Sequence, residues 1–338
     1  MQDISRAWLQ KLAPDQMDII MRRAQLLEVI DAHQPIGRRA AANYVVMSER
    51  EIRACADALS RQGLISYSPA GMMLTPEGEG LLSEAHLVSP GGSGLNKLEE
   101  LLNRALKVAH IIVVPGDGDD ALVLQEVGRA TAHRLRQLVK PDTVVAIAGG
   151  RTMAATAHAM VPCAANVMVV PARGGMSSNV ATQANMVAGE LAQRMNAQYR
   201  LMHLPEGVPV QALKEMVKLP DVRETIELMR NASVVVLGIG RADVMARRRG
   251  MNAAQAETLL SLGAVGESLG DFFNIDGHTV YQSPSVSAEL HTMRPGCRIV
   301  AAACGADKGE AILAAVRHNP PDTLVIDETA ARAIIERL

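Results

Sequence analysis

The chain has 338 residues, a length that favours a small module followed by an α/β domain over one ordinary domain. Apolar residues make up 48% of the chain and charged residues 21%, which excludes a disordered, collagenous or coiled-coil protein. Aromatic residues make up only 2%, so base stacking on aromatic platforms is strongly disfavoured. The net charge of -2 excludes a polybasic coat, and any binding of nucleic acid therefore has to be local.

Cysteine use and the N-terminal segment favour a reducing compartment. The cysteines are Cys55, Cys163, Cys297 and Cys304, and none has a second cysteine or a histidine at the spacing of a zinc site. The N-terminal segment lacks the apolar core of a signal peptide, and no stretch approaches ~18 uninterrupted apolar residues. We expect a cytoplasmic protein without a disulfide framework, a metal site or a membrane segment.

A change in composition marks the expected domain boundary. The segment 89–94 reads SPGGSG, and such flexible residues between two patterned regions indicate a linker. We expect a first domain over 1–88, a linker and connecting helix over 89–109, and a second domain over 110–338. Apolar residues of that helix recur at helical spacing and predict a contact with the second domain or with a partner chain: Leu98, Leu101, Leu102 and Ala105.

The first domain has the pattern of a helix, a turn and a capped helix. An amphipathic helix is expected from Arg22 to Ile30, then a break at 34–37 and a short Ala-rich helix from Arg38 to Tyr44. Ser48 with Glu51 forms the capping box of the next helix. The expected inward residues of the two longer helices are Leu26, Leu27 and Ile30, and Ile52, Cys55, Ala56 and Leu59.

The capped helix has the features of a recognition helix. Ser48, Arg50 and Arg53 lie at its start, where side chains can enter a major groove, and Arg38 and Arg39 precede it at a position suited to DNA phosphates.

A β-hairpin is expected next, from two short apolar runs, Leu64–Tyr67 and Met72–Leu74, around a turn at 69–71. Such a hairpin after a recognition helix is a wing. The pattern predicts a winged helix-turn-helix that binds double-stranded DNA, and a scaffolding or dimerisation module is the alternative.

Short β-branched runs alternate with helical patterns after residue 109. This alternation predicts an α/β domain with a doubly wound, mostly parallel sheet, in which ligands bind at the carboxyl ends of the strands. The runs are HIIVVPG, TVVAIAGG, VMVVPARGG, SVVVLGIG, CRIVAAACG and TLVIDE, with helices such as Val180–Asn196 and Gly309–His318 between them.

Some of these strand ends combine glycine with arginine: Gly149-Gly150-Arg151-Thr152, Arg173-Gly174-Gly175 and Gly238-Ile239-Gly240-Arg241. Glycine lets backbone N–H groups approach an anion, a helix N-terminus adds its positive dipole end, and arginine donates charge-assisted hydrogen bonds. A single glycine-rich strand end more often serves only to form a tight turn than to bind a ligand. Their recurrence with arginine predicts a phosphate site.

Common catalytic fingerprints are absent from the sequence. Asp243 replaces the third glycine of a dinucleotide motif, and no P-loop, HExxH or GxSxG pattern occurs. Asp276-Gly277-His278 offers an acid and a base, although a turn with a hydrogen-bonded histidine explains it better. We therefore expect neither an enzyme nor a cofactor.

The ordered set of motifs resembles the SorC family of bacterial sugar-responsive transcription regulators over nearly the whole chain. The segments that carry the resemblance are AGGRTMAA, VPARGG, QAN at 183–185, VLGIG, MARRR, GESLGDFFNIDG and CGADKGEAI. The resemblance implies an effector domain that has the fold of sugar-phosphate isomerases and deaminases and has lost catalysis. It also implies operator DNA and a phosphorylated sugar as partners, in a homodimer or homotetramer.

The resemblance further implies where the sugar phosphate binds. The implied positions are Gly149, Gly150, Arg151, Thr152, Arg173 and Gly174 for one phosphate, and Arg248, Glu267 and Lys308 for the other end of the sugar. Glu267 would accept from sugar hydroxyls. Relatives suggest fructose 1,6-bisphosphate, and a monophosphorylated sugar is the open alternative. The chain departs from relatives at Arg151, where they have a hydroxyl residue, and at Cys304-Gly305, where they have two glycines.

These patterns predict a transcription regulator, more a repressor than an activator, whose affinity for its operator changes when a phosphorylated sugar binds. The alternative is a sugar-phosphate isomerase or amino-sugar-phosphate deaminase with an N-terminal interaction module. Its acid and base would come from Asp276, His278 or Glu267.

Overall fold

The computed structural model describes residues 14–42, 44–45, 47–85, 92–116, 120–163, 166–174, 180–204 and 208–338. The chain divides into two compact units, Met1–Asn96 and Lys97–Leu338. Residues 1–13, residues 89–91 of the expected linker and Gly175 of the second glycine motif lie outside the described residues. In the part of the chain that is described, no helix is long and apolar enough to cross a membrane.

The first unit has the predicted order of helices and hairpin. Its helices are α1 (Pro14–His33), α2 (Arg38–Ala41), α3 (Glu49–Arg61) and α4 (Pro76–Ala85), and its strands are β1 (Ile65–Ser68) and β2 (Gly71–Leu74). Helix α1 extends beyond the predicted Arg22–Ile30 at both ends, and α2 ends at Ala41 instead of Tyr44.

The core of the first unit is formed by the predicted apolar stripes. Leu26, Leu27 and Ile30 of α1 and Ile52 and Leu59 of α3 are all buried. Helix α3 begins as predicted with a capping box, in which the Glu51 N–H donates to Ser48 Oγ (3.3 Å) and the Ser48 N–H donates to Glu51 Oε2 (2.8 Å). The cap satisfies backbone groups that the first turn of a helix leaves unpaired.

The hairpin is antiparallel, and a single β-bridge joins it to the segment between α1 and α2. Ile65 pairs with Leu74 across it, and Ile36 adds a two-way bridge to Met72, with N···O distances of 3.1 and 2.8 Å. A side chain at Gly71, which has φ +144°, would come within 2.5 Å of the Ile36 backbone, so this turn requires glycine.

Helix α5 (Gly92–Leu106) begins within the expected linker, since residues 92–94 already belong to it. Leu98, Leu102 and Leu106 are buried. Of the four residues for which a contact is expected, Leu98 and Leu102 are buried within this chain, because the buried stripe follows the i, i+4 row through Leu98. Leu101 is 53% exposed and Ala105 is also exposed, so a contact through these two with a partner chain stays a prediction.

The second unit is built on a sheet of parallel strands in the order β3-β13-β12-β7-β4-β5-β6. Its strands are β3 (His110–Val114), β4 (Val144–Ile147), β5 (Met168–Pro171), β6 (Gln198–Tyr199), β7 (Val234–Gly238), β12 (Arg298–Ala303) and β13 (Thr323–Asp327). The predicted apolar runs form all of these except β6. Strand β13 is buried throughout and β7 nearly so, as expected where helices cover both faces of a parallel sheet.

The helices that follow these strands are α6 (Asp120–Leu138), α7 (Arg151–His158), α8 (Ala184–Met195), α9 (Val210–Met216), α10 (Pro220–Arg230), α11 (Ala242–Arg248), α12 (Ala253–Ser261), α13 (Gly309–His318) and α14 (Glu328–Ile335). The predicted helix over Val180–Asn196 is divided, since a 3-10 turn at Val180–Thr182 precedes α8.

A second, antiparallel sheet was not predicted from the sequence. Its strands, in the order β11-β10-β9-β8, are β8 (Gly240–Arg241), β9 (Ala264–Ser268), β10 (Asp271–Asn274) and β11 (Thr279–Gln282). Strand β8 follows β7 almost directly, and Gly240 pairs with Glu267 of β9. The small sheet thereby brings Glu267 to the carboxyl end of β7.

Candidate functional site

A cavity of 630 Å³ lies at the carboxyl ends of the parallel strands. Strands β4 and β7 are neighbours there, and the chain proceeds from them in opposite directions across the sheet, which is the usual position of a ligand site in this architecture. All predicted effector residues line it: Gly149, Gly150, Arg151, Thr152, Arg173, Gly174, Arg248, Glu267 and Lys308. The folding of the chain thus brings together residues that are more than 150 positions apart in sequence.

The turn between β4 and α7 has the geometry of an anion cradle. A Cβ on Gly149 would lie 2.6 Å from the carbonyl oxygen of Thr182, and Gly150 has φ +116°. Both positions therefore require glycine. The first turn of α7 begins directly after Gly150 and carries Arg151 and Thr152, so backbone N–H groups and the positive end of the helix dipole lie at the cavity.

Glu267 is a deeply buried carboxylate of the cavity wall. Only 3% of the residue is exposed, and its Oε1 atom accepts from the Gly270 N–H (2.5 Å) and lies 3.6 Å from Nη1 of Arg173. Arg249 donates a further hydrogen bond to the same oxygen. Arg173 itself is 8% exposed, and a Cβ at Gly270 would lie 2.5 Å from its Nη1. Oε1 of Glu267 is thus engaged by groups of its own chain, and the contact of Glu267 with sugar hydroxyls stays a prediction.

The remaining predicted cations stand together at the cavity. Arg151, Arg248 and Lys308 form no ion pair with the residues that the structure describes. Burial lowers the pKa of the Lys308 amine, and the positive charges of Arg151 and Arg248 lower it further, whereas Cys304 and Asp307 oppose part of that shift. Like charges within mutual reach repel, and an anion between them removes that repulsion.

Further residues at the strand ends line the cavity although the sequence did not single them out. They include Gly116, Asp120, Gln183, Arg249, Asp307, Asp327 and Thr329. Asp327 accepts from the Gly305 N–H (2.7 Å) and the Thr329 N–H (3.2 Å), which fixes two neighbouring turns. Gly116 and Asp327 lie at the ends of predicted strands, so the strand-end rule alone would have found both.

Arg241 is committed to carboxylates. Its Nε and Nη2 atoms donate to Asp243 (3.1 and 2.9 Å) and its Nη1 donates to Asp307 (3.0 Å). These hydrogen bonds raise the pKa of the Arg241 guanidinium. Arg241 thus lines the cavity with its guanidinium paired to two carboxylates, whereas Arg151 forms no ion pair among the described residues.

Asp276 and His278, the acid and base of the enzyme alternative, form a surface turn. Asn274 Oδ1 accepts from the N–H groups of both residues (3.1 and 2.9 Å), and Gly277 between them has φ +85°. Both side chains are exposed, and neither residue lines the cavity. The turn interpretation is confirmed.

The predicted DNA-binding residues lie around the start of α3 in the first unit. Arg50 and Arg53 are exposed on α3, and Arg38 and Arg39 are exposed on α2. Arg39 Nε pairs with Glu49 Oε1 at 3.2 Å. The Ser48 hydroxyl is engaged in the cap, where it donates to Glu51 Oε2 (2.6 Å).

Comparison with known proteins gives a match in both halves of the chain. Residues 19–88 match the CggR N-terminal DNA binding domain, and residues 92–336 match the Sugar-bind family of sugar-binding domains. The central glycolytic genes regulators of Priestia megaterium and Bacillus subtilis are 36% and 34% identical, each over 96% of this chain and 96% of the relative. A SorC family transcriptional regulator from Enterococcus faecalis has 32% identity and a TM-score of 0.66, covering 71% of this chain and 99% of that one.

A DNA-binding domain followed by a sugar-binding domain on a doubly wound sheet defines a transcriptional regulator. The chain belongs to the SorC family of such regulators and is similar over nearly its full length to the central glycolytic genes regulators.

Proposed function

We propose that this protein is a cytoplasmic transcriptional repressor that binds a phosphorylated sugar in the cavity, and that this ligand changes its affinity for operator DNA. One observation carries the proposal: Arg151, Arg248 and Lys308 line the cavity beside the Gly149-Gly150 turn and form no ion pair among the described residues. A group of cations at a helix N-terminus favours a ligand with concentrated negative charge.

Phosphate esters fit this wall better than neutral sugars do. A dianion can face several of these cations at once, whereas a hydroxyl group cannot compensate their charge. The sugar itself would contact Glu267, Thr152 and Gln183, which are polar, and apolar residues such as Val244 and Leu269. The cavity volume of 630 Å³ falls within the range of about 300–1,000 Å³ that is usual for small-molecule sites. Fructose 1,6-bisphosphate is our first candidate, and a monophosphorylated sugar is the second.

The absence of catalysis is part of the proposal. Asp276 and His278 lie outside the cavity lining, and Oε1 of Glu267 is occupied by donors from its own chain. A general base has to reach the proton that it abstracts, so the surface turn offers no base to a ligand in the cavity. The similar proteins named above are regulators.

A thermal-shift panel tests the ligand. Fructose 1,6-bisphosphate, fructose 6-phosphate, glucose 6-phosphate, inorganic phosphate and fructose are compared at equal concentration. A ligand that binds only the native state stabilises it by about 2.7 kcal/mol at 100 times its Kd, so at least one phosphorylated sugar should raise the Tm and fructose should not.

Two lysine variants test whether the rise in Tm comes from a ligand bound in the cavity. Lys308→Met should abolish the shift, and Lys218→Met, at an exposed lysine that pairs with Glu215 (2.7 Å), should leave it intact. An equal shift with fructose would contradict the phosphate site. Conversion of the ligand, followed by NMR, would favour an enzyme.

A further inference from the structure

Asp307 and Lys308 are adjacent residues of opposite charge, and both line the cavity. They lie on a 3-10 turn, Ala306–Lys308, at the carboxyl end of β12. The two side chains could form an ion pair with each other, and the Lys308 ammonium would then be less available to a bound anion. The structure has another arrangement, in which Asp307 Oδ2 accepts a hydrogen bond from Arg241 Nη1 at 3.0 Å.

Arg241 is held in place to make this contact. Its Nε and Nη2 atoms bind both oxygens of Asp243, at 3.1 and 2.9 Å, which leaves Nη1 directed to Asp307. Such a two-point contact fixes the plane of a guanidinium, whereas a lysine in its place would have a single ammonium to share. Arg241 therefore connects the start of α11 to the turn that carries Lys308.

We propose that Arg241 is a positioning residue of the anion site: it holds the Asp307 carboxylate so that Lys308 presents its ammonium to an anion in the cavity. This inference deepens the proposed function and depends on it for the identity of the anion. Without Arg241, the Asp307 carboxylate would either pair with Lys308 or remain as a negative charge at the cavity, and both outcomes weaken the binding of a phosphate.

Arg247 provides a matched control on α11, the helix that begins directly after Arg241. Its Nη2 atom binds Asp243 Oδ2 at 3.3 Å, as Arg241 does, but no contact joins Arg247 to Asp307 among the described residues. Loss of Arg247 therefore perturbs the same carboxylate, Asp243, and the same helix, and it leaves the contact with Asp307 in place.

Calorimetric titration with fructose 1,6-bisphosphate tests the positioning role. Arg241→Met should weaken binding about fivefold, the upper range for one partly exposed ion pair. The double variant Arg241→Met/Asp307→Asn should recover to within twofold of the parent, because the unshielded carboxylate is gone, and Arg247→Met should also stay within twofold. A purely structural role of Arg241 predicts a double variant at least as weak as Arg241→Met, and that result would overturn the inference.

A ligand-free measurement separates this inference from the proposed function. Competitive acetylation of Lys308 across a pH series, followed by mass spectrometry, reports the pKa of its amine. Arg241→Met should raise this pKa, since the released carboxylate stabilises the ammonium, and the double variant should lower it again, to the parent value or below, because the Asp307 charge is gone. Unchanged labelling in Arg241→Met would overturn the inference. If the parent binds no sugar phosphate, the proposed function fails and the labelling still decides the role of Arg241.

One further variant covers the case in which Arg241→Met does not melt cooperatively. Asp307→Asn alone removes the carboxylate that Arg241 shields, so it should bind fructose 1,6-bisphosphate at least as tightly as the parent. It should also lower the pKa of Lys308. In the parent the negative charge of Asp307 raises this pKa and opposes part of the effect of burial, and the variant lacks that charge. Weaker ligand binding together with an unchanged Lys308 titration would contradict the role assigned to Arg241.

Discussion

Glu99 on α5 accepts a hydrogen bond from the backbone N–H of Val113, with 2.8 Å between Oε1 and N. Val113 belongs to β3, an edge strand of the parallel sheet, and an edge strand leaves a row of backbone groups without a strand partner. The Glu99 carboxylate therefore links helix α5 to the edge strand β3 through this hydrogen bond. Burial raises the pKa of Glu99, and the hydrogen bond from Val113 opposes part of that shift.

Replacing Glu99 by glutamine should alter the pH dependence of stability. An acid whose pKa is raised on folding binds more protons in the native state, so its contribution to stability falls as pH rises from the unfolded pKa, about 4.3, through the folded value. Glutamine keeps an acceptor for Val113 and has no charge to bury. The Tm of Glu99→Gln, relative to the parent, should therefore be higher at pH 7 than at pH 4. Glu100→Gln, at an exposed neighbour that pairs with Arg104, is the control, and a relative Tm that falls toward pH 7 in Glu99→Gln would contradict the expectation.

The recognition helix can be tested separately from the cavity. Arg50→Ala and Arg53→Ala should each weaken operator binding, by about 1–3 kcal/mol for a base contact or with a shallower salt dependence for a phosphate contact. Neither variant should change the thermal shift with a sugar phosphate. Arg61→Ala, at the other end of α3, serves as the control. Unchanged operator affinity in both test variants would show that the recognition surface lies elsewhere.

Assembly is expected from the logic of operator recognition. One small DNA-binding domain per chain gains specificity when two chains bind two half-sites, so we expect a homodimer or homotetramer. Leu101, which is 53% exposed on α5, is the candidate contact, and Leu101→Arg should shift the protein toward monomers in light scattering. A parent protein that is strictly monomeric at micromolar concentration, with and without DNA, would contradict this expectation.

Lys308 should make ligand binding sensitive to alkaline pH. Burial lowers the pKa of its amine, so the ammonium that faces the anion is lost below the ordinary range for lysine. The affinity for a sugar phosphate should fall as pH rises through that lowered pKa. The ligand-free protein should become more stable over the same window, since its unfolded state binds more protons there. Lys308→Met should remove both dependences, and an affinity that stays constant as the amine deprotonates would exclude Lys308 from the site.

The fold was predictable where periodicity is strong. Long apolar runs define the main parallel strands, and the Ser48–Glu51 box defines the start of α3 without tertiary information. Strands β6 and β8 escaped prediction because each has only two residues, too few to show a period. The antiparallel sheet depends on pairing between β8 and β9, which is a property of the folded chain.

The candidate site was predictable as a set of residues and less so as a set of contacts. Gly149 and Arg151 could be named because glycine-rich strand ends meet at one edge of a sheet, whereas Lys308 was named through the resemblance to the SorC family. The sequence could not tell which arginine keeps a free charge. Arg248 and Arg249 are adjacent, yet only Arg249 binds Glu267, because partner choice depends on the position of β9 relative to α11.

Coupling between a ligand in the cavity and operator binding can be measured in a single titration. Operator affinity is measured by fluorescence anisotropy with and without the sugar phosphate found in the thermal panel, for the parent, Arg173→Ala and Lys308→Ala. A ligand effect of about 5- to 150-fold is the ordinary range for such coupling, and we expect it in the parent. Both variants should bind operator like the ligand-free parent and should not respond to the ligand. A full ligand response in both variants, or no response of the parent to any sugar phosphate, would contradict the account.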